Sequence, residues 1–178
     1  LGRFGRALAR ELDKLGHQVM AVDSDAESVQ DATRDLQHVA QVDATSMQAM
    51  RDIGAAEFKT AVVAIGSDIE ASILTTSLLL RFGIQHLWAK AVSDAHGTIL
   101  EQLGVAHVVY PEKDMGKRVA HLVRGAMQDY IEIGDDFALV KAAANQTVIG
   151  IPLGQAQIRS KYGVTITAVK KPASDWTY

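Results

Sequence analysis

Hydrophobic and polar positions follow two alternating patterns along the chain. Short runs rich in Val and Ile are separated by longer segments in which apolar residues recur three or four positions apart. The first such segment has apolar residues at Phe4, Leu8, Leu12 and Leu15, and Gly16 follows as a typical helix terminator. Strands that alternate with helices in this way are typical of βαβ units on a parallel sheet.

The short apolar runs predict five strands. They are His17–Asp23, His38–Asp43, Thr60–Gly66, His86–Val92 and His107–Tyr110. A further strand is expected before Leu1, which would complete the six strands of a doubly wound Rossmann sheet. Helix starts are expected directly after two strands, because Ser24 with Glu27 and Thr45 with Gln48 have capping-box spacing. The predicted fold class is therefore α/β, a Rossmann sheet of parallel strands.

The pattern changes near residue 134. Residues 112–130 predict one long helix after Pro111, with an apolar face that includes Met115 and Val119. Beyond it, 137–143 and 164–169 predict strands and 152–162 predicts a short helix. We therefore expect a nucleotide-binding lobe at 1–133, which includes the long helix, and the start of a small α+β lobe at 134–178. About 45 residues bury too little surface to be stable alone, so this second lobe is expected to be truncated or completed by a partner.

Composition narrows the function classes. The net charge is −3 and the isoelectric point is near 6.1, without a run of like charges, which argues against a nucleic-acid partner. Cysteine is absent, so disulfides and thiolate metal sites are excluded. The apolar stretches fall short of the roughly 20 residues that span a bilayer. The chain starts at Leu1 within a glycine motif, so residues are expected upstream.

The segment Gly2-Arg3-Phe4-Gly5 matches the second and third glycines of the dinucleotide-binding motif G-x-G-x-x-G. Gly2 would let backbone amides approach a phosphate, and Gly5 would let the following helix pack closely on the sheet. That helix would direct its positive end at the phosphates. Asp23 ends the next strand about 20 residues later, where the ribose-binding acid is found. Such a carboxylate repels a 2′-phosphate, so NADP is disfavoured. Alternatively, the glycines only make a tight turn and Asp23 helps to cap the next helix.

Two arginines lie in and just after the glycine loop. A guanidinium beside the phosphates offers a bidentate fork for additional negative charge, so Arg3 and Arg6 indicate a nucleotide with a terminal phosphate. The alternative for either arginine is a solvated position on the helix surface.

Further candidates follow the later strands, at the carboxyl edge where open α/β sheets bind ligands. Residues 43–45 and 64–67 end two strands, Lys90 ends a third, and Glu112 follows the last, so these side chains can face one crevice. Asp43 could instead cap a helix, and Glu112 could merely favour a helix N-terminus through the dipole. His96 is near a helix start, where a surface position is the alternative to a ligand.

Taken together, these motifs resemble the RCK, KTN or TrkA-type domain, which regulates potassium channels and transporters of the Trk and Ktr type. The similarity is greatest to the cytosolic regulatory subunits of Ktr potassium transport systems. It covers residues 1–133 well and the remainder loosely, and its most specific part is the Tyr-Pro-Glu-Lys-Asp-Met-Gly segment. The segments that carry it are 1–6, 21–23, 43–45, 63–66, 88–91 and 110–116.

The resemblance implies roles for individual residues. Arg3 and the glycine-loop backbone would contact phosphate, Asp23 the ribose, and Glu112 a divalent cation, Mg²⁺ or Ca²⁺, between two subunits. Base and linker contacts would lie around Asp25, Asp43, Ala44, Ile65 and Ser67, with Lys90 and His96 on the far side. The full set of candidate cofactor-binding residues is Gly2, Arg3, Phe4, Gly5, Asp23, Ser24, Asp25, Asp43, Ala44, Thr45, Ile65, Gly66, Ser67, Lys90, Ala91, Val92, His96 and Glu112.

The resemblance also implies a function. Such domains bind ATP, ADP or NAD-type nucleotides, form dimers and octameric rings, and gate a membrane potassium channel or transporter from its cytosolic face. Residues 158–164 resemble the middle of the family's C-terminal lobe, which implies a cyclic di-AMP site there. A fragment of an NAD-dependent oxidoreductase is the alternative, but the residues after 133 contain no recognisable catalytic arrangement, so we expect a regulator. A Rossmann scaffold with an empty site is a third interpretation, which the combination of Arg3, Asp23 and Glu112 disfavours.

Overall fold

Parallel strands form the sheet of the first part of the chain. They are β1 Met20–Asp23, β2 His38–Gln41, β3 Thr60–Val63, β4 His86–Lys90 and β5 His107–Val109. β1 pairs with β2, while β3, β4 and β5 form a second ladder in that order. All five predicted strands are thus confirmed. Each is shorter than predicted: β1 starts three residues later, and the other four end one to three residues earlier, before the loops or helix that follow them.

This strand order fits a Rossmann sheet. A Rossmann sheet has the strand order 3-2-1-4-5-6. If the strand expected before Leu1 is counted as strand 1, then β1 and β2 are strands 2 and 3, and β3, β4 and β5 are strands 4, 5 and 6. The strand that the sequence pattern leads us to expect before Leu1 would take the central position. The α/β fold class with parallel strands is therefore confirmed.

A computed structural model describes residues 1–125, 127–134, 136–170 and 176–177 of the chain. The chain divides into two units, residues 1–117 and 118–178. The division falls inside a helix that the sequence assigns wholly to the first lobe, so the predicted lobe boundary after residue 133 stays a prediction. In the described part of the chain, no helix is long and apolar enough to cross a membrane.

Helices connect the strands of the first unit. They are α1 Arg3–Lys14, α2 Ala26–Ala32, α3 Met47–Asp52, α4 Ile69–Arg81, α5 Asp94–Gln102 and α6 Pro111–Val123, with a 3-10 turn at Ala55–Glu57 before β3. The main core contains Leu87 and Ala89 of β4 with Leu100 of α5. A smaller cluster joins Ala9 of α1 to Ala21 of β1 and neighbouring residues.

Two of these helices begin one residue later than the capping-box spacing predicts. Asp25 caps α2 and Ser46 caps α3, each by accepting a hydrogen bond from a backbone N–H three residues on. The predicted caps, Ser24 and Thr45, are therefore wrong. The reason is a turn before each helix, in which the carboxylate of an aspartate accepts a hydrogen bond from the N–H two residues later.

The second unit begins within α6 and contains mostly short elements. An antiparallel hairpin joins β6 Asp129–Ile133 to β7 Phe137–Lys141, and β8 Val169–Lys170 pairs with β9 Trp176–Thr177. Two short helices lie between the two strand pairs, α7 Leu153–Ala156 and α8 Ile158–Tyr162.

Three predictions for this region need correction, and one holds. The helix predicted to reach residue 130 ends at Val123, because Gly125 takes a left-handed conformation with φ of 80°. The helix predicted at 152–162 is broken at Gln157, whose φ is 48°. The strand predicted at 164–169 is wrong except for Val169, the only one of its residues that pairs with another strand. The strand predicted from Phe137 is confirmed.

Candidate functional site

The glycine loop leaves the N-terminus of α1 open. Gly2 precedes the helix with φ of −64° and ψ of −177°, and no side chain of the described residues caps the helix there. Apart from Gly2 and its neighbours in the chain, none of the described residues has an atom within 4 Å of the place where a Cβ atom of Gly2 would stand. Helix N-termini present unpaired N–H groups and the positive end of the helix dipole. The loop therefore provides open space and backbone donors of the kind that bind phosphate.

Gly5 brings α1 close to the loop after β3. A Cβ atom at Gly5 would lie 3.0 Å from the Cβ of Ala64, closer than ordinary van der Waals contact. The close packing that the sequence predicts for this glycine is therefore present. It sets the glycine loop next to residues 64–67.

Asp23 ends β1 beside the start of the glycine loop. Its carboxylate accepts a hydrogen bond from the N–H of Asp25 at 3.0 Å. Asp25 caps the helix instead, and hydrogen bonds from Ser28 hold the pKa of Asp25 below its ordinary value. The interpretation of Asp23 as a helix cap is thus wrong, while its role toward ribose stays a prediction.

Asp43 organises the turn after β2. Its carboxylate accepts hydrogen bonds from the Thr45 hydroxyl at 2.7 Å and the Thr45 N–H at 2.9 Å, and these lower the pKa of Asp43. Ser46 caps the following helix, so the alternative role of Asp43 as a cap is wrong. Asp43 is exposed and Ala44 packs against the core, so an ionised carboxylate is available at this edge.

The two arginines of the loop differ. Arg6 donates to the backbone carbonyl of Asp31 at 2.7 Å and to the carboxylate of Asp35, which also pairs with Arg10. It joins α1 to the end of α2, a role that neither sequence interpretation included. Arg3 is exposed, and its charge contributes to the low pKa of Glu112. Arg3 thus remains the candidate for a phosphate contact.

Lys90 and Glu112 meet at the carboxyl edge of the sheet. The Nζ atom of Lys90 lies 2.7 Å from Oε1 of Glu112 and 6.0 Å from the centroid of the Phe4 ring. It also lies 3.1 Å from where a Cβ atom of Gly66 would stand. The structure therefore brings together residues from the glycine loop, the loop after β3, the end of β4 and the start of α6.

Glu112 carries the negative charge of this ion pair. The hydrogen bond from Lys90 is the main cause that lowers the pKa of Glu112, followed by a backbone N–H at the start of α6, with smaller contributions from the charges of Lys90 and Arg3. The lysine side chain is 12% exposed and the glutamate side chain 66% exposed. Glu112 is thus an ionised carboxylate open to solvent, paired with the ammonium of a largely covered lysine.

His96 lies in the core rather than on the surface, so the surface interpretation is wrong. It is 1% exposed, and its Nδ1 accepts a hydrogen bond from the N–H of Val92 at 3.4 Å. Its Nε2 has no hydrogen-bond partner among the described residues. Burial lowers the pKa of His96. The neutral ring therefore supports the backbone of the loop after β4.

A pocket of about 300 Å³ adjoins Glu112. Its lining residues are Ala91, Val92, Ser93, Asp94, Tyr110, Glu112 and Lys113. The Tyr110 hydroxyl lies 1.7 Å from where a Cβ atom of Gly97 would stand, so only glycine fits there. Neither Tyr110 nor Gly97 is among the candidate residues that the sequence indicates. A glycine inside the helical segment of α5 was the available signal, since it usually has a packing reason.

The second unit has a pocket of its own. It has a volume of about 590 Å³ and lies around α7, α8 and the segment that follows them. Its lining residues are Leu153, Gly154, Gln157, Ile158, Arg159, Ser160, Val164, Thr165 and Ile166. The lining is largely apolar with one guanidinium.

The described residues form no cluster of three or more His, Cys, Asp or Glu side chains that could hold a metal ion. Glu112 offers carboxylate oxygens, which suit a hard cation. Its neighbour here is an ammonium rather than a second acid.

Comparisons with known proteins agree with the fold. The TrkA-N domain family matches residues 1–111. Ktr system potassium uptake protein C of Bacillus subtilis is 38% identical over 172 residues, which are 96% of this chain and 78% of the relative. Ktr system potassium uptake protein A of the same organism is 35% identical over 171 residues, 96% of this chain and 77% of the relative.

Solved structures share the fold at low sequence identity. The structure titled GsuK channel bound to NAD has a TM-score of 0.69 at 18% identity, covering 97% of this chain and 32% of that one. The TrkA-N domain of the inner membrane protein ybaL from Escherichia coli has a TM-score of 0.61 at 15% identity, covering 68% of this chain and 90% of that domain.

Proposed function

The chain belongs to the TrkA-N domain family, and we propose that it is the nucleotide-binding regulatory subunit of a potassium uptake system. The observation that carries the proposal is the similarity to two Ktr potassium uptake proteins over 96% of the chain. The site is consistent with it, because the open glycine loop and the Lys90–Glu112 pair lie together at the carboxyl edge of the sheet.

The ligands we propose for the glycine loop are ATP and ADP. The open start of α1 and the exposed guanidinium of Arg3 offer donors to a chain of phosphates. Asp23, at the end of β1, would accept hydrogen bonds from ribose hydroxyls, which disfavours NADP. NAD or NADH fits the same requirements, and NAD is the ligand named for the GsuK channel.

A divalent cation, Mg²⁺ or Ca²⁺, is proposed at Glu112. The exposed carboxylate is a suitable hard ligand, and nucleotide phosphates or the Glu112 of a second copy would supply further oxygens. When bound, the ion would neutralise carboxylates that otherwise repel one another. Where the second Glu112 supplies them, the site is linked to assembly of the chain into a dimer or an octameric ring.

Regulation would follow from differential binding. A ligand shifts a conformational equilibrium only by the difference in its affinity for the two states. We propose that ATP and ADP favour different shapes of the ring, and that the ring acts on a membrane potassium channel or transporter from its cytosolic face. Cyclic di-AMP is the proposed ligand of the second unit, where Arg159 borders a largely apolar pocket. No catalytic role is proposed.

Native mass spectrometry of the purified assembly tests the proposal, because it reports stoichiometry and bound nucleotide together. We expect an even-numbered homo-oligomer that carries ATP or ADP. The same preparation should leave NAD unchanged when it is supplied with hydroxy and keto acids. A monomer without nucleotide, or turnover of NAD, would contradict the proposed function and favour the oxidoreductase alternative.

A further inference from the structure

We infer that the Lys90 ammonium is the resident counter-ion of Glu112, and that a divalent cation must displace it to bind. Lys90 would then set the cation affinity of the site. The inference rests on the proposed cation site at Glu112 and goes beyond it, because it assigns a separate, opposing role to a second residue.

The geometry distinguishes this pair from an ordinary surface ion pair. Lys90 ends a central strand of the β3–β4–β5 ladder, and its side chain is only 12% exposed. The ammonium lies 3.1 Å from the place a Gly66 side chain would occupy and 6.0 Å from the Phe4 ring centroid. The path of the lysine to Glu112 is thus open because residue 66 has no side chain.

Charge repulsion and the flexible side chain of Lys90 explain how a divalent cation would displace the ammonium from Glu112. The ammonium lies 2.7 Å from Oε1 of Glu112, so a divalent cation on the same carboxylate would face a like charge at short range. An ammonium on a four-carbon stem can rotate away. The Phe4 ring of the glycine loop has its centroid 6.0 Å from this ammonium. Phosphate oxygens bound at that loop would therefore be new partners for the displaced ammonium, which couples the cation to the nucleotide.

A neighbouring pair provides a matched control. Lys113 Nζ lies 2.7 Å from Asp94 Oδ1, and both residues border the pocket that also includes Glu112. Both side chains are more than half exposed. Lys113→Met therefore removes one positive charge from the same surroundings without freeing Glu112. Any general effect of net charge on cation binding will appear in this variant.

The experiment measures cation affinity directly. Assembled protein is loaded with ADP, freed of excess nucleotide and titrated with Mn²⁺, while the free ion is followed by electron paramagnetic resonance. The variants are Lys90→Met, Lys113→Met and Glu112→Gln, each compared at equal ADP occupancy. Lys90→Met should bind Mn²⁺ about fivefold more tightly than the unchanged protein, the upper range for an ion pair of this exposure. Lys113→Met should stay within about twofold.

The outcomes separate the inference from the proposed function. If Lys90→Met binds Mn²⁺ no more tightly than Lys113→Met, while Glu112→Gln weakens binding, the counter-ion role is overturned and the cation site stands. If Glu112→Gln binds Mn²⁺ as the unchanged protein does, the cation site itself is overturned. The inference is supported if Lys90→Met is the only single variant that binds Mn²⁺ more tightly, and if the double variant Lys90→Met with Glu112→Gln loses this gain.

Discussion

Replacement of Gly5 by alanine tests the contact that positions the glycine loop. The new Cβ atom would lie 3.0 Å from the Cβ of Ala64, a backbone-attached atom that cannot rotate away. Overpacking of this kind costs about 1–3 kcal/mol, whereas alanine gains up to about 1 kcal/mol over glycine within a helix. We therefore expect Gly5→Ala to lower the free energy of unfolding by about 1 kcal/mol.

Gly116 provides the matched control. It also lies inside a helix, α6, but a Cβ atom there has nothing within 4 Å. Gly116→Ala should raise the free energy of unfolding by up to about 1 kcal/mol. Urea unfolding followed by circular dichroism at fixed protein concentration measures both variants. If Gly5→Ala stabilises the protein as much as Gly116→Ala does, α1 does not approach residue 64 closely and the described site geometry is wrong.

Three further changes have specific expected outcomes. Asp23→Ala should weaken ADP binding by about 1–3 kcal/mol in calorimetry, because a charged hydrogen-bond acceptor is lost; unchanged affinity would rule out the ribose contact. Arg3→Ala should weaken the binding of ATP more than that of ADP in the same assay. Equal losses of affinity would mean that Arg3 attracts both nucleotides only through its charge. Burial lowers the pKa of His96, so as pH falls below about 6.5 the unfolded chain takes up a proton that the folded chain does not. Stability is therefore lost as the pH falls below about 6.5, and His96→Gln should remove part of this loss while the exposed His17→Gln should not; identical pH profiles for both variants would refute this assignment.

Periodicity predicted the strands well but the helix ends poorly. Runs of β-branched residues mark buried parallel strands, and their positions depend mainly on local sequence. Helix ends depend on hydrogen bonds that compete within a few residues. Asp23 and Asp43 each hold a turn before the next helix, so the cap moves one residue beyond Ser24 and Thr45.

The location of the site was predictable, but its contacts were not. Parallel strands end at one edge, so Lys90 and Glu112 were expected to face one crevice, and they form an ion pair there. The passage of Lys90 beside Gly66 depends on how the loop after β3 lies. The bond of Arg6 to Asp35 spans 29 residues of sequence, and no local pattern indicates it. The burial of His96 likewise depends on tertiary structure, because the N–H of Val92 donates to its ring in place of water.

Potassium flux is the most direct test of the proposed regulatory role. The chain is reconstituted in vesicles with a membrane subunit of a potassium uptake system from the same cells, and rubidium uptake is measured with ATP and with ADP. Coupling free energies of about 1–3 kcal/mol correspond to differences of about 5–150-fold, so we expect at least a fivefold difference between the two nucleotides. Asp23→Ala should reduce that difference. Equal uptake with ATP, with ADP and without nucleotide would contradict the proposal that this chain regulates potassium transport through its nucleotide site.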